Sequence, residues 1–333
     1  MKRSIGIVAL CLSSAPSVHA QSSVTIYGLI EQSVGKYTGQ SSINPTLNVN
    51  LLGNTGVWTV KSSTSSRLGF RGSEDLGAGM KAFFLIEHRV APDTGATQFG
   101  QTGFFGGQSF VGLSGPWGDV RLGHMFVPGH VIAVLGDPYG LDYNIAGGYG
   151  FVKGGSVVSY GGNAVGYRTP SLAGLVVELQ VALGEGGTPA GSIQPDRNVG
   201  ASLNYTAGKL YIGAAYNDLR TATGIKNNFR IINGSYDFGV VKPFLAYGVA
   251  RNTSALDSKS YLIGLTAPIG SGRLKGLYGN LNPAGANNTT KKFGLGYEYF
   301  LSKRTSLHAD VATATTGNLS RAKGIEGGIK HTF

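Results

Sequence analysis

Apolar and polar residues alternate in segment after segment of this chain, and that period of two limits what it can fold into. The stretch from Gly324 to Phe333 shows it: Ile325, Ile329 and Phe333 fall on one face, Glu326, Lys330 and Thr332 on the other. A strand of this kind meets different surroundings on its two sides. The same unit recurs in pairs joined by turns. Arg67 to Gly77 returns through Lys81 to Arg89, and Phe110–Leu113 returns through Asp119–Gly123. Further pairs turn at Pro170, at Ala207-Gly208, at Asp237-Phe238-Gly239, between Pro268 and Gly272, and at Leu301–Arg304. The pattern predicts about sixteen strands of roughly ten residues, an even number as in single-chain bacterial barrels. Tight turns alternate with longer polar loops, so both chain ends fall on the tight-turn rim and the first strand can pair with the last.

The N-terminus reads as an export signal over residues 1–20. Lys2 and Arg3 are followed by a short apolar run, Ile5 to Leu12, and by Val18-His19-Ala20 as a small-residue cleavage site. The run is too short to span a membrane. Cys11, the single cysteine, lies inside it, and Leu10 before it is too large for a lipidation site. The mature segment, 21–333, therefore has no disulfide, and a closed barrel is the alternative source of stability. It also lacks any apolar stretch of about 18 residues, so no helical span is available. In hydrocarbon every unpaired N–H or C=O costs several kcal/mol, and only helices or closed barrels cross it. The fold expected is all-β: a transmembrane antiparallel barrel. A tandem sandwich or propeller, the soluble alternative, leaves the outward Tyr205, Tyr216, Tyr247, Tyr297 and Tyr299 unexplained. In a barrel they form aromatic girdles. With 54 glycines but no Gly-x-y period, collagen is excluded.

The formal charge of +11 drops by two when Lys2 and Arg3 leave. Basic chains bind nucleic acid, anionic lipid or anionic solutes. Here the cations are dispersed and recur on one strand face, which favours a charged lumen over a nucleic-acid patch. Arg67, Arg71, Lys81, Arg89 and Arg121 are candidates for a positive wall. Asp137 and Asp142 are candidate acidic groups on the long insert from about Val127 to Gly155. This insert is rich in Gly and Tyr, and its Ile132, Leu135, Tyr139, Tyr149 and Phe151 need something to pack against. Each lumen cation has a second reading, pairing with a carboxylate such as Glu31 or Glu87. Lys275, Lys292 and Lys330 read as solvated wall residues.

No metal, cofactor or enzyme signature emerges. His88, His124, His130, His308 and His331 lack zinc-ligand spacing, and no phosphate-binding fingerprint sits between a strand and a helix. His308 and Asp310 share a strand face, from which a hydrolase triad with a serine can be imagined.

Ser23-Val24-Thr25-Ile26-Tyr27-Gly28, the run from Ser66 to Gly77 and Val111-Gly112-Leu113-Ser114-Gly115 resemble the general porins of β-proteobacteria. So do Ser235-Tyr236-Asp237-Phe238-Gly239, Leu301-Ser302-Lys303-Arg304-Thr305 and His331-Thr332-Phe333. The resemblance implies a homotrimeric, sixteen-stranded barrel in the Gram-negative outer membrane whose third outer loop folds into the lumen, here 127–155. It also implies that the strand ending in Phe333 is the signal read by the barrel-assembly machinery. Arg67 and Arg71 match the family's arginines, whereas Gly107 and His124 stand where related porins often have Arg. The basic ladder is correspondingly thinner. The function expected is passive diffusion of small hydrophilic solutes and inorganic ions through a wet lumen, with weak anion preference. A substrate-specific channel of the same architecture, or a barrel enzyme, are the alternatives.

Overall fold

The computed structural model describes residues 23–39, 56–98, 103–156, 158–183, 197–220, 226–251, 257–283 and 288–333. The signal segment expected over 1–20 lies outside the described residues. Alternation becomes burial in the way the sequence implies, but inside out. On strand β14 (Asp257–Ile269), Ser260, Leu262 and Gly264 are buried while Tyr261, Ile263 and Leu265 between them are exposed. The same holds around the sheet: Val111, Leu203, Ile232, Leu245 and Ile325 face outward, whereas Glu31, Asn217, Asn233, Lys292 and Asp310 are buried within. An apolar exterior around a polar interior is stable only where the exterior meets hydrocarbon.

The strands are β1 (Ser23–Thr38), β2 (Trp58–Lys61), β3 (Arg67–Gly77), β4 (Met80–Ala91), β5 (Ala96–Thr97), β6 (Ser109–Gly115), β7 (Gly118–Phe126), β8 (Tyr160–Arg168) and β9 (Leu175–Ala182). They continue as β10 (Arg197–Ala207), β11 (Leu210–Arg220), β12 (Lys226–Tyr236), β13 (Lys242–Arg251), then β14, β15 (Gly272–Asn282), β16 (Thr290–Phe300), β17 (Thr305–Thr316) and β18 (Ala322–Thr332). All belong to a continuous antiparallel ladder, apart from β5, which pairs only with the end of β4. One edge of β1 pairs with β3 and, beyond a break, with β2, so β2 and β3 are two halves of one barrel strand. The other edge pairs with β18 from Leu29–Thr332 to Thr38–Lys323. The sheet is thus closed by sixteen strands. Gly28 and Phe333 exchange two backbone hydrogen bonds of 3.1 Å at the seam. Ser23 and Phe333 both lie at the tight-turn rim.

Two local features complete the ladder. The polar tract before Thr64 contains β2, because Trp58 and Val60 extend the outward apolar row of β1 and β3. The turn expected between Pro268 and Gly272 is tighter: β14 runs through Pro268, paired with Arg273, as far as Ile269. Gly270 supplies the positive φ of 57° on which the two-residue turn depends.

The inward loop and its constriction

Between β7 and β8 the chain enters the barrel. Pro128 at the first turn starts a short helix, α1 (Pro128–Leu135), and Gly136 ends it. The helix is apolar almost throughout and packs on the inner face of β10 to β12. From the helix onward the segment follows the wall strand by strand. The Gly129 N–H donates to Asn217 (2.8 Å), Asn233 donates to the Ile132 carbonyl (2.6 Å), and the Gly154 N–H to Ser260 (2.8 Å). At its far tip, Asn144 donates to Asp310 (2.7 Å) and the Ile145 N–H to Glu326 (3.0 Å). Glu326 also takes the Tyr37 hydroxyl (2.8 Å) and the Lys61 ammonium (3.0 Å). The loop backbone lies this close because two inward positions lack side chains. A Cβ at Gly248 would stand 2.2 Å from the Val152 oxygen, and one at Gly294 2.3 Å from the Ala146 oxygen. With Gly264 against Pro138 and Gly279 against Phe151, these make a row of inward glycines on four successive strands, the sequence signal from which this docking surface could have been found.

Helix and loop together lie along β10 to β18. Arg67, Arg71, Lys81, Arg89 and Arg121 come from β3, β4 and β7, across the lumen. Of these, Arg89 is buried and held by Glu87 (2.6 Å), by Ser65 (2.8 Å) and beside the Phe126 ring. Arg121 lies between Asp119 (2.7 Å) and Glu178 (3.5 Å). Arg71 stacks over Tyr27 at 5.3 Å, and Lys81 lines a cavity of about 490 Å³ with Arg121, Phe83 and Gln108. Among the described residues no carboxylate lies within ion-pair distance of Arg67, Arg71 or Lys81. Glu31, the other expected partner, accepts the Thr64 N–H (2.9 Å) and faces His308 (3.1 Å) instead.

The two loop acids have different surroundings. Asp137 is buried and accepts the N–H groups of Tyr139, Leu141 and Gly148, each at 3.0 Å. Burial raises its carboxyl above the usual range against the pull of those three donors. It shapes the loop and does not face solutes. Asp142 is only partly covered and accepts the Thr64 hydroxyl at 3.1 Å. Burial raises its pKa to about 6, although Lys330, Lys275 and Arg67 pull the other way. Lys275 and Lys330 share a small polar cavity with it, both paired with Glu298. The alternation places these lysines in the lumen, but only the loop's path brings Asp142 to them. Lys292 is not solvated: it is buried and donates to the Gly147 carbonyl. Lys153, wholly buried, donates to the Val158 carbonyl (2.8 Å) and touches His130, and burial lowers its ammonium to about 7. Gly107 lies against Glu87, where a Cβ would be 2.7 Å from the Glu87 carbonyl oxygen, and His124 stacks on Tyr160.

A closed barrel, polar within and apolar without, partly filled by one inward loop, is a pore architecture. The family model for Gram-negative porins matches residues 6–319. The chain is a Gram-negative porin. It is 30% identical to outer membrane porin protein 32 of Delftia acidovorans, over 98% of this chain and 95% of that protein. It is 28% identical to the major outer membrane protein P.IB of Neisseria meningitidis over the full length of both. Among solved structures, an anion-selective porin from Comamonas acidovorans superposes with a TM-score of 0.76 at 26% identity, covering 94% of this chain and all of that one. The trimer form of OmpT from Vibrio cholerae has the same fold, with a TM-score of 0.69 at 14% identity over 94% of this chain and 99% of that one.

Porins are outer-membrane channels rather than enzymes. Ser33, His308 and Asp310 do fall in a line, Ser33 3.2 Å from the His308 Nε2 and Asp310 2.6 Å from its Nδ1. Ser33, however, is buried and donates to Glu31, which also faces the same Nε2. With a carboxylate at each ring nitrogen, the histidine joins β1 to β17 and is not free to take a proton from serine.

Proposed function

We propose that this general diffusion porin is weakly anion-preferring, and that its preference comes from Arg67, Arg71 and Lys81 on the open wall facing Asp142 on the loop. The observation carrying this reading is that those three cations have no carboxylate within ion-pair distance, whereas Arg89 and Arg121 do. Three lumen-facing charges of one sign raise the local concentration of anions, and the loop narrows the path where they act. The likeness to an anion-selective porin supports the same sign. Asp137 has no part in this field, since its carboxylate is occupied within the loop. Small hydrophilic solutes pass down their gradients. The protein assembles as a homotrimer, and the assembly machinery reads β18 with Phe333.

A planar-bilayer recording in a KCl gradient tests the reading. The wild type is expected to show a mild anion reversal potential, and Arg67→Glu to move it towards cations. A reversal potential unchanged by Arg67→Glu removes Arg67 from the constriction. Conductance should not saturate with any one sugar or organic anion at low concentration; saturation would instead support a substrate-specific channel.

The acid in the loop adds a pH dependence. With its pKa raised to about 6, Asp142 is charged above that pH and neutral below it. Anion preference is therefore expected to increase as pH falls from 7 to 5, because the acid facing the cations is discharged. Asp142→Asn should show the acid-side preference at pH 7 and lose the step. A step of equal size in Asp142→Asn assigns the titration to another group.

A further inference from the structure

The lumen wall that faces the loop is not polar throughout. On β4 the inward positions Lys81, Glu87 and Arg89 are charged, but the two between them are Phe83 and Leu85. Strand β6 adds Phe110 directly opposite Leu85. Phe83 and Phe110 meet edge to face, with ring centroids 6.2 Å apart. Gly112, the partner of Phe83 in the ladder, leaves room for its ring: a Cβ there would be 2.6 Å from the Phe83 Cζ. The loop docks on the opposite strands, so both rings stay only partly buried and turn apolar surface towards water. Apolar surface left in a wet lumen is the informative exception, and it favours a solute that can cover it.

One uncompensated charge borders these rings. The cavity of about 490 Å³, within the size range of small-molecule sites, is lined by both phenylalanines together with Lys81, Arg121, Ser73 and Ser114. Asp119 lines it too, but its carboxylate is engaged by Arg121 (2.7 Å), whose guanidinium lies 5.8 Å from the Phe110 ring centroid. Lys81 has no such partner. Asp75, opposite it in the ladder, accepts the Gly77 N–H instead (2.9 Å). Phe83 is about 20 Å along β4 from Arg89, towards the tight-turn rim, which in such barrels is periplasmic. An apolar aromatic surface beside a free ammonium and two hydroxyls matches a flat ring that carries a carboxylate.

We propose that Phe83, Phe110 and Lys81 form a subsite for monocyclic aromatic carboxylates between the constriction and the periplasmic mouth. The ring of the solute packs on the phenylalanine pair as a third aromatic. Its carboxylate meets the Lys81 ammonium and accepts from the Ser73 and Ser114 hydroxyls. This site rests on the reading of the chain as a diffusion channel and adds a solute class to it. It is open to the lumen, so it slows such a solute in transit without trapping it. At the binding strength ordinary for small ligands, about nine non-hydrogen atoms give a Kd on the order of 10 mM. An affinity this weak leaves the channel unsaturated at low concentration.

The test is current noise through the full porin in planar bilayers at constant KCl, with benzoate, acetate or benzamide added in turn. Benzoate should produce excess noise that half-saturates on the order of 10 mM. Acetate lacks the ring and benzamide lacks the charge, so each should need at least about tenfold more. Phe83→Ala with Phe110→Ala should weaken the benzoate effect at least about tenfold and leave the KCl reversal potential at its wild-type value. Lys81→Gln should weaken benzoate by a similar factor. Heat-modifiable gel migration would establish that the variants fold. Should the double alanine variant fail to fold, Phe83→Leu, which keeps the bulk and loses the aromatic face, takes its place. Undiminished benzoate noise in the phenylalanine variant overturns the site. Equal potency of benzoate with acetate, or of benzoate with benzamide, overturns it too. The selectivity reading is decided separately, by the Arg67→Glu reversal potential in KCl without benzoate, so the two failures are distinguishable.

Discussion

Valine in place of Gly294 is expected to lift the inward loop from the wall and raise single-channel conductance. The new Cβ would stand 2.3 Å from the Ala146 oxygen and 2.8 Å from its Cα, and these are backbone atoms that cannot rotate aside. Gly248→Val acts on the returning limb of the loop, where the Val152 oxygen is 2.2 Å and the Gly154 nitrogen 2.6 Å away. Overpacking of this kind costs about 1–3 kcal/mol, which shifts a docked–undocked equilibrium roughly 5- to 150-fold. Both valines point into the lumen, so the lipid-facing row and the strand ladder are untouched, and the barrel should still migrate as a folded species. The tip contacts from Asn144 to Asp310 and from Ile145 to Glu326 lie next to Gly294 and should be lost with it. The double variant should conduct more than either single one. Conductance that stays constant or falls in both single variants would mean that the loop does not set the width of the pore.

Phe333→Ala is expected to weaken the closure of the barrel. The Phe333 ring occupies the space a side chain at Gly28 would need: a Cβ there would be 2.3 Å from the ring's Cζ and 2.7 Å from the Arg67 carbonyl. Ring and gap are therefore complementary, at the place where β1 leaves β3 and takes up β18. Phe333 remains 42% exposed, so losing the ring costs about 1–2 kcal/mol, less than a fully buried phenylalanine would. Gly28→Leu should be comparably damaging, because it evicts the ring from the other side. Urea unfolding in detergent, followed by heat-modifiable migration, should show a lower midpoint for both variants. A midpoint equal to wild type, with reduced yield only in cells, would assign the ring to recognition by the assembly machinery and not to the seam.

How much of this was legible beforehand follows from the kind of information each feature needs. Strand faces depend on a local period of two, so Ile325 and Ile329 could be placed outward, and Glu326 and Lys330 inward, with no knowledge of any partner. The tight turns at Gly208 and Gly270 were legible for the same reason, since a backbone with positive φ calls for glycine locally. The inward loop was legible as a long, aromatic-rich insert, but its path was not. An irregular segment has no period, and the groups it meets are far away in sequence: Asn144 meets Asp310, and Thr64 meets Asp142.

The sequence by itself therefore determined the barrel, its polar lumen, its apolar exterior and the wall that carries the arginines. Tertiary structure alone decided which of those charges remain available to solutes. Arg89 and Arg121 have carboxylate partners, Asp137 turns inside the loop, and Lys275 and Lys330 gather with Asp142. A side chain's face follows from its own strand, but its partner follows from register and from where a distant loop comes to rest.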